Sequence, residues 1–353
     1  MQSKQQNRRR FFVLKQGTVA CIISFCLLQS AARADDPVAF SGIAFYSTSW
    51  SVKVAALPAG TTPAQVQEKL QAILDHVNSV LSTYQPDTEL MRFNRAPVGQ
   101  WVQVSPTLFG AADYAQRVSA LSEGAFDITV APLVNLWGFG PAPRRHTLPT
   151  PGEIARARQQ VGWKNLLLDK NGPALQRRST IQLDLSSLGE GTGTDEMADY
   201  LESLGIHDYM ASVAGTFRVS GKRPDGRDWQ IAIETPDGSG LPLQRLRLHD
   251  QVVSTAGLYR NYFVLKGRRY AHIIDPATGW PVTHHGVSVT VIEPPGTAAR
   301  LADASATAFN VLGPDKGYAL AARLHLPVFF IISTKQGFSE RYTPEFAPYL
   351  ESR

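Results

Sequence analysis

The chain has 353 residues, with 35 Lys and Arg against 30 Asp and Glu. Residues 1–34 hold six of the basic side chains, both cysteines and no acid, so the remainder is near neutral, with 29 basic against 30 acidic residues. This excludes a disulfide, a thiol nucleophile or a cysteine metal site beyond residue 34, and it removes the electrostatic basis for a nucleic-acid partner.

In chain order, residues 1–34 read as an export signal. Asn7-Arg8-Arg9-Arg10-Phe11-Phe12 is a basic start, Gly17 to Leu28 an apolar core too short to span a bilayer, and Ala32-Arg33-Ala34 a small-x-small cleavage site. The arginine pair resembles a twin-arginine signal loosely, and an ordinary secretory signal is the alternative. Neither Cys21 nor Cys26 follows a convincing lipobox. The expected location is the periplasm, with 35–353 as one domain.

Phe40 to Leu57 reads as a strand. Thr62-Pro63-Ala64-Gln65 opens a helix with an N-cap, a proline at the first helical position and a capping-box glutamine. Val66, Leu70, Ile73, Leu74, Val77 and Leu81 then recur at helical spacing. A polar segment follows (Gln85 to Arg95), and Ser105-Pro106 starts a second helix that stops at Gly124. Thr150-Pro151-Gly152-Glu153 caps a short third one. From Asn165 the texture turns to strands, at Asn165 to Asp169 and Ile181 to Leu185. Ser186 to Asp195 is a glycine-rich loop feeding a helix to Leu204. Tyr209 to Ser220 and Trp229 to Glu234 look like a hairpin pair around Pro224-Asp225-Gly226. Leu246 to Thr255, Tyr259 to Leu265, Tyr270 to Ile274 and Val287 to Ile292 continue the sheet. Ala298 to Leu324 is helical with an interruption near Gly313-Pro314, and Val328 to Ser333 is a last buried strand. Strands and helices intermix without βαβ alternation, which predicts an α+β fold of largely antiparallel sheets with packed helices.

Three stretches carry candidate chemistry. His272-Ile273-Ile274-Asp275-Pro276-Ala277-Thr278-Gly279-Trp280-Pro281 fixes an imidazole and a carboxylate at a strand end; it is either a catalytic turn or a plain polar one. Leu183 to Asp195 turns through glycines into a helix, which offers backbone amides to phosphate oxygens or simply makes a tight turn with Asp184 as a cap. Asp303 and Thr307, four apart on one helix face, present hard oxygens that suit Mg²⁺, though an Asp and a Thr near a helix start also serve as caps. Of the aromatics, Tyr46, Tyr84 and Phe126 are either core or a stacking face for a planar ligand. His284-His285 reads as surface loop.

Taken together and in order, these segments resemble the ApbE-type FAD:protein FMN transferases. The collinear motifs are Ser82-Thr83-Tyr84 with Asn94, Gly124-Ala125-Phe126-Asp127 through Pro132-Leu133, Asp184-Leu185-Ser186-Ser187-Leu188-Gly189-Glu190-Gly191, Tyr259-Arg260-Asn261-Tyr262, His272 through Gly279, Ser288 to Val291, and Ala302-Asp303 through Thr307 to Gly313. The resemblance implies a T-fold-related architecture and Mg²⁺-dependent transfer of FMN from FAD to a Ser or Thr hydroxyl of an acceptor protein, releasing AMP. It implies that Tyr46, Tyr84, Ala125, Phe126, Asp127, Asp184 and Glu190 contact FAD. Ser187, Asp303, Thr307 and the Ala306 carbonyl would hold the metal. His272 would take the hydroxyl proton, with Asp275 orienting it. A membrane electron-transfer subunit is one candidate acceptor. An FAD pyrophosphatase and a non-catalytic flavin-binding or chaperone-like protein are the alternatives. The chain departs from the family pattern at Tyr46 (for Met), Ala214 (for Gly), Ala256 (for Ser) and Thr192 (for Tyr), mostly on the flavin side.

Overall fold

The computed structural model describes residues 36–142 and 147–351. The expected export signal lies outside them; residues 35–353 form one compact unit. The run expected as a single strand is two, β1 (Val38–Ala44) and β2 (Thr48–Val54), paired as an antiparallel hairpin. The chain reverses at Phe45 and Tyr46, both left-handed (φ 48° and 71°) without being glycine. Side chains so disfavoured in that region give no turn signal in the sequence.

Helix α1 (Pro63–Leu81) follows with both capping-box bonds formed at Thr62 and with Val66, Leu70, Leu74 and Val77 buried. The polar segment after it contains an unexpected helix, α2 (Glu89–Arg95), capped by Thr88. Then come β3 (Trp101–Gln103), α3 (Pro106–Leu121), α4 (Ala131–Leu136) and α5 (Pro151–Arg158), the last opened by its expected capping box. β4 (Leu166–Asp169) and β5 (Ala174–Arg177) join β3 in a small three-stranded sheet.

Ile181 to Leu185 is not a strand. Apart from one bridge between Gln182 and Val130, side chains and loops serve its backbone. Asn94 grips Leu183 from both sides, Nδ2 donating to its carbonyl and Oδ1 accepting its amide, each at 2.8 Å. The Asp184 amide donates to the Ile128 carbonyl at 2.7 Å. An amide side chain thus replaces a strand partner.

Helix α6 (Gly189–Ser203) begins earlier than expected, so the glycines assigned to a loop lie in its first turns. β6 (Tyr209–Val213) and β7 (Thr216–Ser220) form their own hairpin, and β8 (Trp229–Glu234) pairs with β9 (Pro242–Leu248). The Pro224-Asp225-Gly226 turn therefore joins two sheets instead of closing one hairpin. β10 (Val252–Gly257) precedes the hairpin of β11 (Tyr262–Leu265) and β12 (Arg268–Ala271), which turns at Lys266 and Gly267 as expected. After β13 (Gly286–Glu293), α7 (Ala299–Arg323) kinks at Gly313. β14 (Val328–Thr334) is followed by β15 (Gly337–Tyr342) and is not the last strand.

The main sheet has eight strands in the order β1-β2-β6-β7-β10-β13-β14-β15, and every neighbouring pair is antiparallel. The α+β expectation is met. All five residues of β6 are buried because both faces are covered. Tyr209, Ala211 and Val213 pack with α1 and α6, while Met210 faces the β8–β9 hairpin and Phe346. No helix among the described residues is long and apolar enough to cross a membrane.

Candidate active site

A cavity of about 780 Å³ opens between the start of α6, the first half of α7, the β6–β7 turn, the end of β10 and the segment after β12. Ten of the sequence-derived candidates line it: Tyr84, Ala125, Phe126, Asp127, Asp184, Ser187, Glu190, His272, Asp303 and Thr307. Tyr46, Asp275 and Ala306 are not on its wall.

One wall is made where α6 and α7 cross. Neither helix has a side-chain cap of its own. Each takes one from the other: Asp195 of α6 accepts the Ala299 amide at 2.6 Å and the Arg300 amide at 3.1 Å, and Asp303 of α7 accepts the Gly191 amide at 2.8 Å. Asp303 is thus a cap, as its position allowed, but of the neighbouring helix. The crossing needs a residue without a side chain at Gly191, where a Cβ would come within 2.5 Å of the Arg300 Cα. The exchange satisfies backbone amides at both helix starts and places Glu190 and Asp303 together on the cavity wall.

Burial pushes the Asp303 carboxyl well above the usual carboxylate range, and the nearby Glu190 carboxylate adds to the shift. Glu190 is raised in the same way, against the Gly215 amide and the Arg260 guanidinium, which draw it down. Two acids forced together in a desolvated corner are stabilised by a cation. Among the described residues no three His, Cys, Asp or Glu side chains converge. A cation would therefore rest on Asp303, the Thr307 and Ser187 oxygens and backbone carbonyls, a hard-oxygen set that fits Mg²⁺. Ala306 is fully buried with its methyl against Val289, Val291 and Phe309, so only its carbonyl could take part.

His272 lines the same cavity, half-buried, with Nδ1 3.0 Å from the Asn261 carbonyl. A carbonyl only accepts, so Nδ1 carries the proton and Nε2 of the neutral ring keeps its lone pair. Burial lowers the imidazole pKa from 6.5, which keeps the ring neutral. The expected orienting role of Asp275 is not what the geometry shows. Its carboxylate accepts from the Ala277 amide and the Thr278 hydroxyl, each at 2.9 Å, and closes its own turn. The Asn261 carbonyl does the orienting instead, through the imidazole and the His272 amide (3.1 Å).

Sequence reasoning missed what holds that turn. The Trp137 indole donates to the Gly279 carbonyl at 2.8 Å and packs against Trp280, ring centroids 5.0 Å apart. Phe139 meets the His272 ring edge-on at 6.3 Å. Gly279 is left-handed (φ 76°), and a Cβ there would lie 2.6 Å from Ile154 of α5.

Asp127 and Asp184 are committed to backbone. Asp127 accepts from Thr129 and from the Trp163 amide (3.0 Å), and Asp184 from the Ser186 amide (2.9 Å). Phe126 is core, with 3% of its surface exposed. Tyr84 anchors its hydroxyl on the Phe139 carbonyl (2.9 Å) and leaves its ring half-exposed. Tyr46, at the left-handed β1–β2 turn just outside the lined cavity, meets that ring edge-on at 6.2 Å, so the two form an aromatic pair at its edge. Ala214 holds a left-handed turn (φ 46°) where the family pattern has glycine. At the mouth, Arg260 pairs with Glu234, which also accepts from the Tyr259 hydroxyl. The Tyr259-Arg260 motif was visible in the sequence, but its partner at the end of β8 was not. His284, expected in a free surface loop, is engaged: Nε2 lies 2.6 Å from the Asn310 carbonyl, which Pro314 cannot serve because it lacks an N–H.

A sequence model of the ApbE family matches residues 46–330. The chain is 36% identical over 333 residues to a protein named FAD:protein FMN transferase from Vibrio cholerae, covering 94% of this chain and 98% of the relative. It is 38% identical over 303 residues to one of the same name from Haemophilus influenzae, covering 83% and 85%. The crystal structure of the Pseudomonas stutzeri flavinyl transferase ApbE, in its apo form, superposes with a TM-score of 0.82 at 36% identity, covering 90% of this chain and 98% of the other. By this family match over most of its length and by these relatives, the chain belongs to the ApbE family.

Proposed function

We propose that the chain transfers FMN from FAD to a Ser or Thr hydroxyl of an acceptor protein and releases AMP. The observation that carries this reading is the neutral His272, its Nε2 free, on the wall of the same cavity as the Asp303–Glu190 corner. The names of the relatives, which specify FAD, FMN and a protein acceptor, support it.

In this reading FAD lies with its isoalloxazine toward Tyr84 and Tyr46 and its pyrophosphate toward the α6–α7 crossing. Ser187, Asp303 and Thr307 would hold Mg²⁺, which when bound neutralises pyrophosphate charge and eases departure of the leaving phosphate. His272 Nε2 accepts the proton of the attacking hydroxyl. The hydroxyl oxygen bonds to the FMN-side phosphorus as the bond from that phosphorus to the bridging oxygen breaks, and AMP leaves with the electron pair. Proton acceptance contributes on the order of 10²–10⁴-fold, and positioning with charge neutralisation supplies most of the rest. Export through residues 1–34 would put the acceptor among periplasm-facing proteins, of which membrane electron-transfer subunits are one class.

The test is to follow AMP release and covalent FMN on co-expressed periplasmic proteins, with and without EDTA. Both should need the divalent ion. AMP formed at full rate without any labelled protein would make water the nucleophile and the chain a pyrophosphatase.

A further inference from the structure

The turn that carries His272 divides two cavities. Pro276 faces the reaction cavity. Asp275, Thr278 and Trp280, on the other side of the same turn, face a second cavity of about 350 Å³. Val311 of α7 lines both, and it lies one helical turn beyond Thr307 on the same helix face. The second cavity, a groove, therefore adjoins the reaction cavity, with Val311 as the residue common to both walls and the His272-bearing turn between them.

We propose that this groove seats the polypeptide segment of the acceptor protein that flanks the hydroxyl to be modified. The inference rests on the transferase reading and adds the acceptor's path to it. Two substrates must meet at His272, and with FAD in the larger cavity the second has to arrive from another side. The groove is the space that adjoins the catalytic turn from its far face. Its make-up suits a polypeptide: Trp280, Pro281, Val282 and Val311 give an apolar floor, while Arg268, Thr278 and Thr283 form an exposed polar rim. Arg268 is offset by Asp275, so the groove has no excess positive charge to select a second nucleotide or phosphate. The His284 imidazole on its wall is held by Asn310 and Gly286 and adds a fixed surface. A space of this size takes a few side chains, with an aromatic floor and polar rim as in other recognition surfaces.

Two substitutions test the assignment without touching the residues placed in the reaction. Thr283→Trp fills the groove, and Arg268→Glu reverses the charge on its rim; both positions are exposed. Each variant is compared with the full-length wild type for thermal unfolding, FAD binding by flavin fluorescence, AMP release without acceptor, and FMN labelling of a library of peptides about fifteen residues long with a central threonine. The expected result is a loss of peptide labelling of roughly tenfold or more, the worth of one well-placed contact, with unfolding, FAD binding and acceptor-free AMP release unchanged. Variants that label peptides as well as wild type overturn the proposal alone. So do variants whose AMP release falls in step with labelling, since the groove would then serve the reaction centre. Wild-type enzyme that binds FAD but labels neither peptide nor protein overturns the transferase reading, and the groove assignment with it.

Discussion

On the helical wall of the cavity, Asp303, Thr307 and Glu190 hang from two helices that cap each other, with no room for a Cβ at their crossing. At the hairpin side of the cavity, Ala214 on the wall and Tyr46 just outside it occupy turns in left-handed conformations that non-glycine residues rarely adopt. The first wall is buried and over-determined, and its motif residues match the family pattern. The second is open and strained, and it holds two of the four departures, Tyr46 and Ala214. A side chain at a hairpin tip can change without displacing neighbours, whereas one at a helix crossing cannot. If FAD lies as proposed, the pyrophosphate end would be held in one geometry, and the flavin end would tolerate variation in its stacking partner.

The sharpest test of that contrast lies with the chemistry common to both walls. His272→Ala should lower FMN transfer by roughly 10²–10⁴-fold while FAD binding, followed by flavin fluorescence, stays near wild type. A loss of binding equal to the loss of rate would remove His272 from the proton-transfer role. Next in size is Gly279→Ala, which forces a Cβ against Ile154 at a left-handed position. It should destabilise the protein by about 1–3 kcal/mol, seen as a lowered Tm, and slow transfer by shifting His272. An unchanged Tm would mean that the turn is not held by this contact.

The pH dependence tests the imidazole more gently. The base must be neutral, and burial holds its pKa below 6.5. Activity should therefore persist as pH drops to 6.5 and fall about tenfold per unit only below the lowered pKa. An acidic limb in kcat/KM centred above 6.5 contradicts the assignment. The smallest effect is expected at the strained wall itself. Ala214→Gly relieves a left-handed alanine at the cost of a more flexible unfolded chain, so denaturant unfolding should show a gain of less than about 1 kcal/mol. A net loss would mean that Ala214 is not strained and that the two walls differ less than their backbones suggest.

How much of this could be read from the sequence follows from where each signal resides. The caps of α1, α3 and α5 and the turn at Lys266-Gly267 were legible because each is a local match of residue to backbone. The segment Ile181 to Leu185 misled because its apolar run suggests a strand, while its hydrogen bonds come from Asn94, 89 residues away. Gly191 read as a loop residue because closeness to Arg300 leaves no trace in neighbouring sequence. Ten of the expected residues line the cavity, yet the contacts they make are ones that spacing cannot show. Asp275 ties its own turn, and an Asn261 carbonyl, invisible as a side-chain type, aims His272.

The exchange of caps between α6 and α7 joins residues 112 positions apart. Neither helix start is fully satisfied until the other has docked, so the corner that would receive the pyrophosphate does not exist in a partly folded chain. Closing so long a loop comes late, because its entropy must be overcome before the contact rewards it. The corner would thus form with that long-range docking, and a truncation that removes either helix would remove it. A nascent chain that has not yet reached Ala299 would leave the start of α6 without the Asp303 cap.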